Sequence, residues 1–171
     1  IELRLKNQDY FKRNLFPRMF GWFQLRLASG SLEATSLDDM EWVLSKCAGY
    51  DSGFALSSSL EALRINGQSE VILGAVKEWE QARLEHAFTP DQIERLQEPT
   101  LDFHLEADGK NRWQLYPVTY SQVHIYSEVT LQPGEPGEAE WTFHNPYENQ
   151  PLQFILRALP DTVTLNDDMV I

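Results

Sequence analysis

Ten residues near the middle of the chain decide its fold: QEPTLDFHLE, at positions 97–106. Before Pro99, helical patterns alternate with short apolar strands, whereas after it apolar and polar residues alternate with the period of a strand. Strand–helix units followed by a run of strands are typical of an α/β unit packed beside an all-β unit. The sequence therefore predicts two domains, one over residues 1–98 and one over residues 99–171.

The first strand–helix unit begins with a nearly continuous apolar run over residues 20–27. Such a run is typical of a strand that is buried on both faces, as in a parallel sheet covered by helices. A helix is expected next, capped by Thr35 or Ser36 and ended by Gly49. Cys47 falls on the apolar face of this helix, which predicts a packing role rather than a reactive thiol.

A second strand is expected within residues 50–56, followed by further helices. One begins at Ser69 and buries Trp79, and another begins at Thr89, where Gln92 completes a capping box. This α/β segment is too short for a whole domain of its kind, so we interpret it as the final strand–helix units of a (β/α)8 barrel. The chain also begins at Ile1 rather than at methionine, and both features predict a piece of a larger protein.

The segment after Pro99 predicts antiparallel strands. Asp108-Gly109 is a strong turn signal between the strand pattern that starts at Leu101 and the next one. Each later pattern shows the alternation of a sheet with one buried face. These patterns cover residues 113–120, 123–131, 139–144 and 152–158. We expect an antiparallel β-sandwich.

The charge and the motifs of the chain narrow the function classes. The net charge of −12, from 26 Asp and Glu against 14 Lys and Arg, disfavours nucleic acid and anionic membrane surfaces as partners. No apolar run approaches the length of a membrane span. The phosphate-loop, dinucleotide, zinc-site and nucleophile-elbow motifs do not occur in the sequence, so no metal or cofactor is expected.

Scattered titratable residues do not form an obvious catalytic set. The histidines follow no ligand spacing: His86, His104, His124 and His144. Exposed strand positions explain the last two better than a shared site does. Asp38, Asp39 and Glu41 lie at the start of a predicted helix, where carboxylates complement the helix dipole, and we prefer that explanation to catalysis.

Arg26 and Trp22 are the candidate ligand-binding residues. In a barrel, ligands meet the loops at the C-terminal ends of the strands, and residues 24–29 follow the first strand there. Arg26 is a charge within an apolar strand and needs a partner or a ligand. Trp22 offers a stacking platform for a sugar ring, although a core position is the stronger expectation for it. The alternative for Arg26 is a structural ion pair, for example with Asp51, which we expect to pair with an arginine rather than to act in catalysis.

Four stretches of the chain carry a resemblance to a known family: NLFPRMFGWF at 14–23, DDMEW at 38–42, GYDSGFAL at 49–56 and KEWEQAR at 77–83. They resemble the end of the catalytic barrel in large glycoside-hydrolase-like proteins of gut Bacteroidetes. NPY at 145–147 and QPL at 150–152 resemble the sandwich that follows that barrel. The resemblance implies a carbohydrate-active (β/α)8 barrel with β-sandwich modules, exported to the periplasm or the cell surface. It supplies no catalytic residue, because these motifs are structural.

The sequence and the resemblance together predict a fragment of a glycoside hydrolase that acts on polysaccharide or oligosaccharide. Glycosidases need two positioned carboxylates, which are expected on earlier strands outside this chain, so the fragment alone is expected to be inactive. Its expected partners are carbohydrate and the remainder of the parent polypeptide. The alternative is a non-catalytic module that binds carbohydrate or acts as a structural scaffold.

Overall fold

The computed structural model describes residues 19–109, 112–124, 137–147, 150 and 152–155. The chain separates into two compact units, Ile1–Ala139 and Glu140–Ile171. The helices and strands of the described ranges all belong to the first unit. In chain order they are β1 (Met19–Leu25), α1 (Leu37–Gly49), β2 (Gly53–Ser58), α2 (Leu60–Ile65), α3 (Ser69–Leu84), α4 (Pro90–Gln97), β3 (Asp102–Ala107) and β4 (Trp113–Val118).

β1 and β2 are parallel neighbours, and α1 connects them in a βαβ unit. The register shifts between Met19 and Trp22, so that Phe20 and Phe23 both pack on the side of α1 that carries Cys47. Cys47 is buried, and burial raises the pKa of its thiol. The predicted packing role of this cysteine is confirmed, because a buried thiol with a raised pKa is unreactive.

Local capping signals place the helix starts. The side chains of Ser36, Ser59 and Thr89 each accept a hydrogen bond from a backbone N–H in the first turn of the helix that follows. Asp39 and Gln92 complete capping boxes in α1 and α4 by accepting from the N–H of the cap residue. The predicted starts of α1 and α4 are therefore confirmed, with Ser36 rather than Thr35 as the cap of α1.

α1 ends at Gly49 as predicted, but Gly49 does not adopt the left-handed conformation of a capping glycine. Gly49 is the last helical residue, and the left-handed conformation expected of it occurs instead at Asp51, with a φ of 44°. The N–H of Asp51 donates to the carbonyl of Ala48 at 3.2 Å, and the N–H of Ser52 donates to the carbonyl of Cys47 at 2.8 Å. This pair of bonds is a Schellman motif, so a backbone motif and not a glycine ends the helix.

Gly49 has a packing role that its position in the sequence does not reveal. A Cβ atom at Gly49 would lie 2.8 Å from the carbonyl carbon of Leu96 and 2.9 Å from the backbone nitrogen of Gln97. The carbonyl of Gly49 also accepts a hydrogen bond from Nε2 of Gln97 at 2.7 Å. The missing side chain therefore lets the end of α4 contact the backbone of α1 directly.

One apolar cluster joins the helices to the hairpin that follows Pro99. β3 and β4 pair antiparallel, and Gly109 in the connecting turn has a φ of 73°, as the Asp108-Gly109 signal predicts. The cluster has members from strands, helices and hairpin alike: Leu25, Met40, Leu44, Ile72, Trp79, Leu96, Phe103 and Leu105. The hairpin is thus packed on the same core as α1 and α3.

The barrel, the sandwich and the domain boundary at Pro99 remain predictions. The βαβ unit supplies one parallel pair of strands, and the structure assigns no strand to the described residues 137–147 and 152–155. Most of the predicted strand at 123–131 lies outside the described residues. Among the described helices, none is long and apolar enough to cross a membrane.

Candidate functional site

The predicted ligand-binding residues lie on and just beyond β1. Trp22 is 67% exposed, so the expected core position of this tryptophan is wrong. Gln24 is exposed as well, whereas Phe23 and Leu25, which alternate with these residues, pack on the core. β1 therefore has a packed face and an open face, and the open face carries the indole.

Thr35 and Asn66 fix the main chain of Arg26, directly after β1. The N–H of Arg26 donates to Oγ1 of Thr35 at 3.1 Å, and the Thr35 hydroxyl donates to the carbonyl of Gln24 at 2.8 Å. The carbonyl of Arg26 accepts from the N–H of Thr35 at 3.1 Å and from Nδ2 of Asn66 at 3.0 Å. These bonds cover the edge of β1 and hold the Arg26 backbone in one position.

The guanidinium of Arg26 is much less constrained than its backbone. Its Nη1 atom lies 3.5 Å from Oγ1 of Thr35, and its buried Nε atom has no hydrogen-bond partner among the described residues. The suggested ion pair with Asp51 is not formed. Asp51 instead accepts from Nη1 of Arg83 at 3.0 Å, and Glu80 binds the same guanidinium at 2.7 Å. The expectation that Asp51 pairs with an arginine is confirmed, but the arginine is Arg83.

A second polar cluster forms around Glu41, which is 5% exposed. Its Oε1 atom accepts from Nε1 of Trp79 at 3.1 Å and from the N–H of Leu105 at 3.2 Å. Its Oε2 atom lies 2.7 Å from Nδ1 of His104. α1, α3 and β3 thus converge on one buried carboxylate, whereas the helix-dipole explanation placed Glu41 at the surface of a helix start.

His104 completes this cluster as a titratable partner. Its hydrogen bond with Glu41 raises the pKa of His104, burial opposes that rise, and the charges of Glu41 and Glu106 add to it. The Nε2 atom lies 3.6 Å from Oε1 of Glu106, and the ring stacks on Tyr116 with centroids 6.5 Å apart. The arrangement favours an imidazolium that compensates the buried carboxylate, which gives the pair a structural role in the core.

Lys46 and Trp42 of α1 bind the segment around Pro99. The Nζ atom of Lys46 donates to the carbonyl of Glu98 at 2.5 Å and to the carbonyl of Leu101 at 2.7 Å. The Nε1 atom of Trp42 donates to the carbonyl of Pro99 at 3.1 Å. The point where the sequence changes from helices to strands is therefore fastened to α1 by side-chain bonds.

The ammonium of Lys46 is held in an environment with little water. The Lys46 side chain is fully buried, and its Nζ atom lies 5.7 Å from the ring centroid of Trp42 and 5.5 Å from that of Phe103. Burial lowers the pKa of Lys46 to about 8, although the charges of Asp102 and Glu98 oppose the shift. A lysine without solvent access is a structural clamp rather than a nucleophile that a substrate could reach.

One signal in the sequence could have revealed the role of Glu41. Glu41, Leu44 and Ala48 are spaced three and four residues apart, which places Glu41 on the buried face of α1. The sequence has no comparable signal for His104, because strand alternation places it on the other face of β3 from the buried residues Phe103 and Leu105. Among the described residues, no group of three His, Cys, Asp or Glu side chains could hold a metal ion.

The open face of β1 and the backbone-anchored Arg26 thus form the candidate ligand site, whereas the Glu41 and Lys46 clusters fasten the hairpin to the helices. Comparison with known proteins adds no relative, since no family model, no curated protein and no solved structure matches this chain.

Proposed function

We propose that this chain is the C-terminal part of a carbohydrate-active protein, a glycoside hydrolase of polysaccharide or oligosaccharide in the periplasm or at the cell surface. In this proposal its strand–helix units complete a barrel, and β1 contributes contacts to the sugar. The catalytic carboxylates lie on other strands of the parent protein. The observation that carries the proposal is the exposed indole of Trp22 on the open face of β1.

The chemistry of sugars fits the residues of this face. An indole stacks on the apolar face of a pyranose ring, while amide and guanidinium groups bind the hydroxyls around it. Trp22 and Gln24 are both exposed, and Arg26 follows them at the C-terminal end of the strand. In barrels of alternating strands and helices, ligands bind at that end.

The runner-up function is a non-catalytic module that supports the parent protein. The bonds that Lys46 and Trp42 make to the segment around Pro99 favour this alternative, because they fasten the hairpin firmly to the helices. In this case the open face of β1 packs against other parts of the parent and binds no sugar.

Binding experiments distinguish the two functions. We would titrate the 171-residue chain with a panel of oligosaccharides and compare it with the Trp22→Ala variant. Stacking on an aromatic side chain contributes about 0.5–1.5 kcal/mol, so Trp22→Ala should weaken binding by roughly twofold to thirteenfold. Trp141→Ala is the matched control, because Trp141 is 41% exposed but lies in the other compact unit.

The outcomes separate cleanly. If the unmodified chain binds no member of the panel, the scaffold function replaces the proposed one. If Trp22→Ala and Trp141→Ala weaken binding equally, sugar does not bind at β1. Glycosidase turnover by the isolated chain would contradict the placement of the catalytic carboxylates outside it.

A further inference from the structure

We propose that Arg26 makes this site selective for acidic sugars, whose carboxylate pairs with the guanidinium. The inference rests on the proposed function, because it names the class of sugar that the same site binds. It is carried by a contrast between the arginines of this chain.

Arg26 and Arg83 are the arginines of the described ranges that are not exposed, and their surroundings differ. The Arg83 guanidinium donates to Asp51 at 3.0 Å and to both carboxylate oxygens of Glu80, at 3.1 and 2.7 Å. The Arg26 guanidinium has one long contact with the neutral hydroxyl of Thr35, and no described carboxylate lies within ion-pair distance of it. Among the described residues, the fold supplies countercharges to Arg83 and none to Arg26.

A half-buried charge without a countercharge is unfavourable, and an anion from outside the chain removes that cost. The planar fork of a guanidinium matches a carboxylate with two parallel hydrogen bonds, which makes arginine better suited to this partner than lysine. The chain has 26 Asp and Glu residues, yet none of those that the structure describes pairs with Arg26.

The backbone of Arg26 is already held in place by Thr35 and Asn66. Binding therefore orders only the side chain, which keeps its entropic cost low. Arg26 directly follows β1, and an extended chain spans about 13 Å between residues 22 and 26. An oligosaccharide of several residues can therefore stack one ring on Trp22 while the carboxylate of a ring further along it meets Arg26.

The test compares an oligogalacturonide with its fully methyl-esterified form, which has the same backbone without the charge. We expect the 171-residue chain to bind the acidic form at least tenfold more tightly. Arg26→Met should abolish that preference, so that the variant binds the acid and the ester with affinities within twofold of each other. Arg26→Lys keeps the charge without the fork and should retain part of the preference. Arg64→Met, at an exposed arginine of α2, is the control and should change neither affinity.

Failure of this inference is distinguishable from failure of the proposed function. Equal affinity of the unmodified chain for the acid and the ester overturns the role of Arg26 but leaves sugar binding intact. If a folded Arg26→Met variant keeps the full preference for the acidic form, the role of Arg26 is likewise overturned and sugar binding stays intact. If neither form nor any other oligosaccharide binds, the proposed function fails and this inference fails with it. The preference of the unmodified chain does not depend on whether any variant folds.

Discussion

The Nδ1 atom of His104 lies 2.7 Å from the Oε2 atom of Glu41, although the two residues are 63 positions apart in the chain. This contact joins β3 to α1 across the Pro99 segment. Trp79 of α3 donates to the same carboxylate, so the pair connects three elements of the core. The hairpin is held on the helices by buried polar bonds as well as by apolar packing.

His104→Gln should lower stability in a pH-dependent way. The pKa of His104 is raised from its ordinary value of 6.5, so its contribution is fully present below pH 6.5 and is lost as the pH rises through the raised pKa. A hydrogen bond to a charged group contributes roughly 1.5–3 kcal/mol, which sets the expected loss at pH 6. Urea unfolding between pH 5.5 and 9 measures it.

The control for this prediction is Glu106→Gln, which removes the more distant carboxylate at 3.6 Å from the ring. That variant should keep most of the pH dependence, because the bond with Glu41 is its main cause. A His104→Gln variant whose stability follows the unmodified chain at every pH would contradict the role assigned to the pair.

Lys46→Met should remove a pH dependence of stability whose sign is opposite to the one that His104 contributes. Burial lowers the pKa of Lys46 from 10.5 to about 8, so the unfolded chain binds the extra proton between these values. The contribution of Lys46 to the free energy of unfolding therefore rises with pH in this window, by at most about 1.4 kcal/mol per pH unit. The free energy of unfolding of the unmodified chain minus that of Lys46→Met should therefore increase from pH 7.5 to pH 10.5. A difference that stays constant over this range would show that the ammonium is hydrated.

Gly49→Ala should destabilise the chain by about 1–3 kcal/mol, the range for overpacked sites, because its Cβ would lie 2.8 Å from backbone atoms of α4. The matched control is Gly74→Ala in α3, where a Cβ would meet nothing within 4 Å. Removing a glycine from an open helical position should stabilise the chain by about 0.5–1 kcal/mol. Thermal melts of both variants test the prediction, and it fails if the two substitutions shift the melting temperature in the same direction.

His86→Gly should stabilise the chain by about 0.5–1 kcal/mol, since relief of left-handed strain outweighs the added freedom of the unfolded chain. His86 has a φ of 52° and lies in a second Schellman motif, in which the N–H of Ala87 donates to the carbonyl of Ala82 at 3.0 Å. His86→Ala keeps the strain and serves as the control in chemical unfolding. Equal stability of the two variants would mean that the left-handed conformation carries no cost there.

The start of each capped helix and the turn of the hairpin follow from the sequence alone. Ser36, Ser59 and Thr89 cap their helices through atoms within three residues, and Gly109 provides the positive φ of its turn. These interactions are local, so the residue types and their spacing are sufficient to predict them.

Tertiary structure decided the partners of the charged residues and the exposure of β1. Asp51 pairs with Arg83, Glu41 with His104, and Trp22 stays exposed on a strand whose pattern predicts burial. Each of these outcomes depends on which elements pack together, and residues far apart in the chain supply the contacts. A periodic pattern shows that a face is apolar, but only the packed neighbours determine whether that face is covered and which charge lies opposite another.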